Sequence, residues 1–480
     1  MSAATLVPAR RLAGNLLSLG AGEVAAKLLS ILAFTYLGRT LGPQAYGRME
    51  FAMAALVFFH LPADLGLGLY GAREIARNRH EASNLMASIS AIRLGLAVLS
   101  YAALLLFALT LRDDPQTQIL LCTMGLSLFA APGLLQWVFQ GLDQMSWAAW
   151  AVTVRQGTFA VVALLLVRSR EQLIWAAIAE CAAAACTAVF CIWLARHSLG
   201  LRLSFRGLDI SHLRHHLRTA APIGFSEFAW ALLWHLPTVI LGFLTTGEAL
   251  GWYGASHRCL TAIHSFVYLY FFNLIPSMAR AAVPGGGLSQ LLSRSLSVAA
   301  WCGLLAGLGG ALLAGQFLST LYGPRFAEGG RLLSILVWVI PVALVSGHFR
   351  YGLVACGLEK QLFRSTVIAA AGSIVFSVVL GYWFGAEGVA AALVLANGLH
   401  LLVPYLLFRH RLADVPVWRT LLWPVLAAGL AFSVYWMAVV SVGPWPAIAL
   451  ALSLFAAAGL WAQHRNLAEL WHGVREAAAR

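Results

Sequence analysis

About fourteen stretches of roughly twenty mostly apolar residues follow one another from Leu12 to Ala462, and twenty helical residues span about 30 Å, the hydrocarbon thickness of a bilayer. A chain of this kind is confined to one class of fold. In lipid each backbone N–H and C=O must be paired within the protein, so successive spans form a helix bundle. The stretches fall at 12–38, 46–70, 84–111, 117–139, 147–168, 171–195, 217–244, 250–276, 289–318, 331–355, 361–384, 386–409, 419–441 and 444–462. The expected fold is all-α integral membrane.

Composition narrows the function. Charged residues make up 11% and hydrophobic residues 60% of the chain, against roughly a quarter charged in a soluble domain. No polar stretch has the length of a separate extramembrane domain, which disfavours a membrane-anchored soluble enzyme. The net charge of +13 is almost wholly arginine, the lysines being Lys27 and Lys360. It is scattered over short loops, which suits orientation and contact with anionic membrane lipids; no nucleic-acid partner is expected. Pro284-Gly285-Gly286-Gly287 lacks the Gly-Lys-Ser/Thr ending of a phosphate-binding loop, so nucleotide-driven transport is disfavoured. Cys181, Cys186 and Cys191, spaced by five, share no helix face and read as packing residues. No metal, cofactor or catalytic residue is expected.

An even number of spans puts both termini on one side. With the termini cytoplasmic, the inner segments carry about 20 Arg and Lys and the outer loops about seven. The first apolar stretch follows Arg10-Arg11, contains Glu23 and Lys27, and is too long for a signal-peptide core. It is expected to be a retained membrane helix.

The chain also resembles itself. Tyr36 to Gly47 matches Phe243 to Gly254 without gaps, an aromatic-Leu pair opening each and Tyr-Gly closing each. Gln140-Gly141-Leu142-Asp143 matches Cys356-Gly357-Leu358-Glu359 at a similar offset. The repeat unit is six helices, an even number, so the halves share orientation about an axis along the membrane normal. The expected organisation is a six-helix lobe at 1–195, a cytoplasmic basic linker at 196–216, a second six-helix lobe at 217–409, and two further helices with a cytoplasmic tail at 410–480.

Leu41-Gly42-Pro43-Gln44-Ala45-Tyr46-Gly47, then Ala63-Asp64-Leu65-Gly66-Leu67-Gly68 and Arg73-Glu74-Ile75-Ala76-Arg77, resembles the N-terminal signature of polysaccharide-transport flippases. These are the Wzx-type oligosaccharide flippases of the superfamily that also holds MATE exporters and lipid II flippases. The segment Phe139 to Met145 resembles the family's turn after helix four. The resemblance implies a non-enzymatic transporter of the bacterial cytoplasmic (inner) membrane. It would move a polyprenyl-diphosphate-linked oligosaccharide between leaflets by alternating access of two lobes. A polysaccharide polymerase and glycosyltransferases are the implied protein partners.

Charged groups at bilayer depth usually face a cavity or a partner. Glu23 and Lys27 lie one turn apart on helix 1. Tyr253, His257, Thr261, His264 and Tyr268 fall on one stripe of helix 8, with Arg258 beside it. Aromatic and hydroxyl groups suit sugar faces and arginine suits phosphate. Lys27, Arg155, Arg258, His257, Thr261, His264, Tyr268 and Arg350 are therefore the candidates to line a basic substrate cavity. Glu23, Asp64 and Glu227 are candidates for gating or ion coupling. Arg93, near the inner end of helix 3, reads as a snorkelling side chain. The Asp113-Asp114 pair reads as a solvated turn. Pro222 and Pro237 are placed to bend helix 7.

Two rivals follow from the same residues. A MATE-like drug or cation antiporter would need an acidic aromatic cavity rather than a basic one. An integral-membrane glycan polymerase or transferase would need a placed acid/base or metal constellation, and the short outer loops supply none.

Overall fold

In a computed structural model the described residues are 9–111, 114–201, 210–245, 247–283, 286–412 and 415–478. Side chains are described from Gly22 onward, apart from Glu23, Ile210, Arg411 and those beyond His464. Helices and short connections account for all of these residues, and no strand occurs among them.

In chain order the helices are α1 (Ala9–Asp64), α2 (Leu67–Arg77), α3 (Ala82–Ala108), α4 (Pro115–Gly125), α5 (Gln136–Gly141), α6 (Met145–Leu166), α7 (Ile174–His197), α8 (Ile210–Trp234), α9 (Leu236–Leu244), α10 (Ala249–Ala281), α11 (Leu288–Tyr322), α12 (Gly329–Leu336), α13 (Val339–Ala355), α14 (Glu359–Arg411), α15 (Val417–Val442) and α16 (Pro444–Ala478). Among the described residues eleven helical segments are long and apolar enough to cross a membrane, or up to twelve if the bent pair α8–α9 counts as one. Two of these segments, of 54 and 52 residues, would each reach roughly 80 Å if straight, far beyond one bilayer. Each contains a break. Gly42 leaves the helical region with φ 72°, ψ 171°, and Gly385 does so with φ 58°, ψ −134°.

The bend expected in helix 7 is present. The segments Ser211–Trp234 and Leu236–Leu244 meet at 43°, with Pro237 on the far side of the break, where its ring cannot donate a backbone hydrogen bond.

By contacts the chain divides into two compact units, Met1–Gly242 with Thr246–Gly251, and Phe243–Thr245 with Trp252–Arg480. In the first, α1 packs on α3 and α6, α6 on α7, and α2 on α5 and α8. Its core gathers Leu67, Tyr70, Ile75, Met86, Trp137 and Phe139. The stretch 217–242, assigned to the second lobe on sequence, packs within this first unit. In the second unit α11 is central and touches α12, α13, α15 and α16. Trp301, Leu308 and Phe455 lock α11 to α16 there.

The outer faces are apolar. Met437 is 78% and Val440 89% exposed on α15, which suits a helix that meets lipid. Exposed Trp418 and Trp423 lie near one end of α15, and Trp436 and Trp445 near the other, the placement that tryptophans take at the two membrane interfaces.

Candidate functional site

The first unit holds Arg93 and Arg155 in ion pairs. Asp64 is the last residue of α1. Its carboxylate accepts from Nη2 of Arg93 on α3, and Arg93 Nη1 donates to the carbonyl oxygens of Leu134 (3.0 Å) and Ala131 (3.5 Å). The guanidinium also lies 5.7 Å from the ring centroid of Trp137. Arg93 is 6% exposed. It does not snorkel: the side chain turns inward because α1 ends beside it on an acid.

Local backbone makes this arrangement. Leu65 and Gly66 take φ of 45° and 75° and reverse the chain between α1 and α2. Gly68 follows, and a Cβ there would sit 2.9 Å from Arg93 Nη2. On the other side α8 presses Gly224 onto the turn so closely that a Cβ would lie 2.5 Å from the Leu65 carbonyl carbon. Glu227 follows one helical turn beyond Gly224 on α8 and is half-buried. Nearer the start of α8, the Tyr70 hydroxyl and His216 Nδ1 share a hydrogen bond of 2.8 Å.

Arg155 on α6 forms an ion pair with Glu180 on α7, with Arg155 26% and Glu180 10% exposed. Sequence reasoning named Arg155 without its partner, because nothing in a single sequence gives the register between two helices. His60 bonds Ser127 at 3.1 Å. Lys27 is half-buried on α1, and the Glu23 side chain lies outside the described residues. Asp114 is a correction to the solvated turn. It caps α4 by accepting from Thr117 N (3.3 Å) and Thr117 Oγ1 (2.7 Å), and it pairs with Arg48 at 3.1 Å. Burial pushes its carboxyl upward, but these hydrogen bonds and the Arg48 charge outweigh that and hold it below the usual range.

The second unit has a different balance. Its acidic side chains among the described residues are Glu328, Glu359 and Glu387, all exposed at helix ends or beside the Gly385 break. The cations on α10 and α13 are Arg258 and Arg350, both half-buried, and Arg280, exposed in the last turn of α10. The Arg350 guanidinium stands 5.8 Å from the Tyr351 ring centroid, and its charge acts on His264 and His400. Phe271 stacks on Tyr351 with centroids 5.0 Å apart. Gly347 makes room for that ring, since a Cβ there would fall 2.0 Å from Phe271 Cε2. His348, which is fully buried, donates from Nδ1 to the Leu344 carbonyl (2.7 Å), so its Nε2 accepts from Ser295 (3.0 Å).

The stripe on α10 is graded. Tyr253 and His257 are buried with their rings stacked at 5.9 Å, Thr261 and His264 are half-buried, and Tyr268 is 58% exposed. Its first two members are enclosed by protein, so the part that can meet a cavity begins at Thr261. A separate cavity of about 890 Å³ opens in the second unit between α11, α12, α14 and α15. Leu308, Leu312, Trp338, Leu395, Phe432 and Trp436 are among its walls, an apolar lining suited to hydrocarbon rather than to sugar.

The profile of the polysaccharide biosynthesis protein family matches residues 12–282, more than half of the chain. The chain belongs to this family. Among its relatives is a candidate O-antigen transporter of Shigella dysenteriae, 21% identical over 81% of this chain and 98% of that protein. Another is a protein described as the probable flippase AglR of Haloferax volcanii, 32% identical over 34% of this chain and 35% of that protein. Among solved structures, the lipid II flippase MurJ in an inward closed conformation has a TM-score of 0.72 at 13% identity, over 94% of this chain and 99% of that one. An inward-facing multidrug resistance MATE family transporter has a TM-score of 0.65 at 15% identity, over 80% and 94%. These likenesses show the fold. The family member is a multi-pass membrane protein of polysaccharide biosynthesis, and its named relatives are transporters and flippases rather than enzymes.

Proposed function

We propose that this protein carries a polyprenyl-diphosphate-linked oligosaccharide from the cytoplasmic to the outer leaflet of a bacterial cytoplasmic membrane. The observation that carries the reading is the charge of α10 and α13, which carry Arg258, Arg280 and Arg350 and no acidic residue. An excess of positive charge on α10 and α13 favours an anionic headgroup such as a diphosphate, and disfavours the organic cation of a drug antiporter. Thr261, His264, Tyr268 and Tyr351 supply hydroxyl and aromatic groups for the sugars. The apolar cavity beside α15 suits an isoprenoid chain. Such a headgroup cannot cross hydrocarbon unaided, because its charges would be stripped of water.

In this reading the two long helices each cross twice, giving fourteen spans with both termini cytoplasmic. Lys27, Arg258 and Arg350 meet the headgroup, and access to it alternates between the two sides of the membrane. The test is export of lipid-linked saccharide in a strain lacking its own flippase. Arg258→Ala and Arg350→Ala should abolish complementation at normal abundance, and Arg73→Ala, on the exposed face of α2, should not. Full complementation by both would refute the basic cavity.

A further inference from the structure

We propose that the turn joining α6 to α7 binds the diphosphate of a lipid carrier at the outer membrane surface, with Arg168 and Arg170 as its anion ligands. The inference rests on the substrate and orientation proposed above, and adds a place where the delivered headgroup is held.

The turn is fastened to its neighbours. The Tyr36 hydroxyl of α1 donates to the Val167 carbonyl at 2.8 Å. Arg168 N donates to Gln172 Oε1 at 2.7 Å, and Arg168 Nε donates to the Leu165 carbonyl at 3.1 Å. The Arg170 side chain lies along the break in α1, where a Cβ on Gly42 would stand 3.4 Å from Arg170 Nε. Gly42 holds φ 72°, a conformation that favours glycine, so bare backbone is kept beside the guanidinium.

The charge of the turn is not matched from within the protein. Arg168, Ser169 and Arg170 are all exposed. Among the described residues neither arginine has an acid partner, whereas Arg48 pairs with Asp114 and Arg331 with Glu328 on other turns assigned to the outer side. Arg39, exposed three residues before Gly42 on α1, is a third cation at this end of α1, and Glu171 is the acid of the turn. Three formal positive charges and one negative leave +2. Outer loops ordinarily carry few arginines. A carrier diphosphate esterified at both ends bears one negative charge on each phosphate, and arginine presents paired N–H donors to phosphate oxygens. A phospholipid with a single negative charge would leave half of the cluster unmatched.

The surface beside the turn suits the rest of a lipid. Val161 and Leu165 lie one turn apart on an exposed face of α6, and Trp175 is exposed at the start of α7. A carrier with its diphosphate at the arginines lays its hydrocarbon on these side chains.

The test is native mass spectrometry of the full chain in neutral detergent, titrated with a polyprenyl diphosphate. The parent is the Arg258→Ala, Arg350→Ala variant, so that retained lipid reports a site other than those two residues. Adding Arg168→Gln and Arg170→Gln should weaken retention about thirtyfold, roughly fivefold for each arginine near an anionic lipid surface. Glu171→Gln in the same parent should tighten it. Phosphatidylglycerol in equal amount should not displace the diphosphate. Retention unchanged by the two glutamines, or displacement by phosphatidylglycerol, would overturn the proposal, the second result making the turn a general lipid contact. Either failure leaves the proposed substrate standing, because that reading is tested by export in variants of Arg258 and Arg350 that keep this turn intact.

Discussion

Asp64 and Arg93 form an ion pair in which the arginine is 7% and the aspartate 31% exposed at the side chain. Removing one partner of a buried pair strands the other, at roughly 3–5 kcal/mol, whereas replacing both with apolar groups is often neutral. Arg93→Ala should therefore lower the melting temperature and abundance of the detergent-purified protein sharply. The double variant Asp64→Leu, Arg93→Met should recover much of that loss. A double variant no more stable than Arg93→Ala would show that the pair does not act as a unit.

Arg155 and Glu180 should behave as a pair. Arg155→Ala and Glu180→Gln are each expected to reduce abundance as well as export. The exchange Arg155→Glu with Glu180→Arg should restore abundance. Immunoblots of membrane fractions, read beside complementation, separate this pattern from the normal abundance expected of Arg350→Ala.

Gly347→Val tests the aromatic packing behind Arg350. Its Cβ would overlap the Phe271 ring, and overpacking of a tight site costs roughly 1–3 kcal/mol or more. A lower melting temperature is expected, together with weaker export than the abundance alone explains. An unchanged melting temperature would mean that the ring moves aside freely.

Asp114 yields a pH prediction. Its carboxyl is held below the ordinary range when folded, so the ionised form stabilises the folded chain at neutral pH. That contribution is fully present above the unfolded carboxylate pKa of about 3.9 and disappears as pH falls through the lower folded value. Asp114→Ala should cost about 1 kcal/mol for the lost cap at neutral pH, measured by thermal denaturation. The difference between variant and wild type should shrink in acid.

Orientation is tested at Ser211 and Glu248. Cysteines placed there in a chain cleared of native cysteines should label from the cytoplasmic and outer sides respectively. Labelling of position 211 from outside intact cells would reverse the positive-inside assignment.

Apolar run lengths made the spans readable in the sequence, and proline placement made the bend before Pro237 readable. The repeat was readable only in outline. The sequence match aligns Asp143 with Glu359, but the backbone aligns Asp143 with Gly357. Both hold the left-handed position of a helix cap, with φ 60° and 71°, and each is followed by a residue whose N–H closes the cap at 2.8 Å, Gln144 to Phe139 O and Leu358 to Leu353 O. A shared Gly-Leu-acid string outweighed this cap because geometry leaves no mark on residue type when aspartate takes the glycine's conformation. At the site, Asp64 and Glu227 stood out as charges in apolar runs. Arg93 did not, since its partner is fixed by how α1 ends against α3, and the α10 stripe gave a face without saying which neighbour covers it.

The pairing of charges between nearby helices also bears on how the chain is made. Asp64 and Arg93 are separated by 29 residues, and Arg155 and Glu180 by 25, about one membrane crossing and a turn. During synthesis each second partner therefore emerges one helix after the first. A charge entering the bilayer waits only for the next span to neutralise it, and the first unit can satisfy Arg93 and Arg155 before the second has left the ribosome.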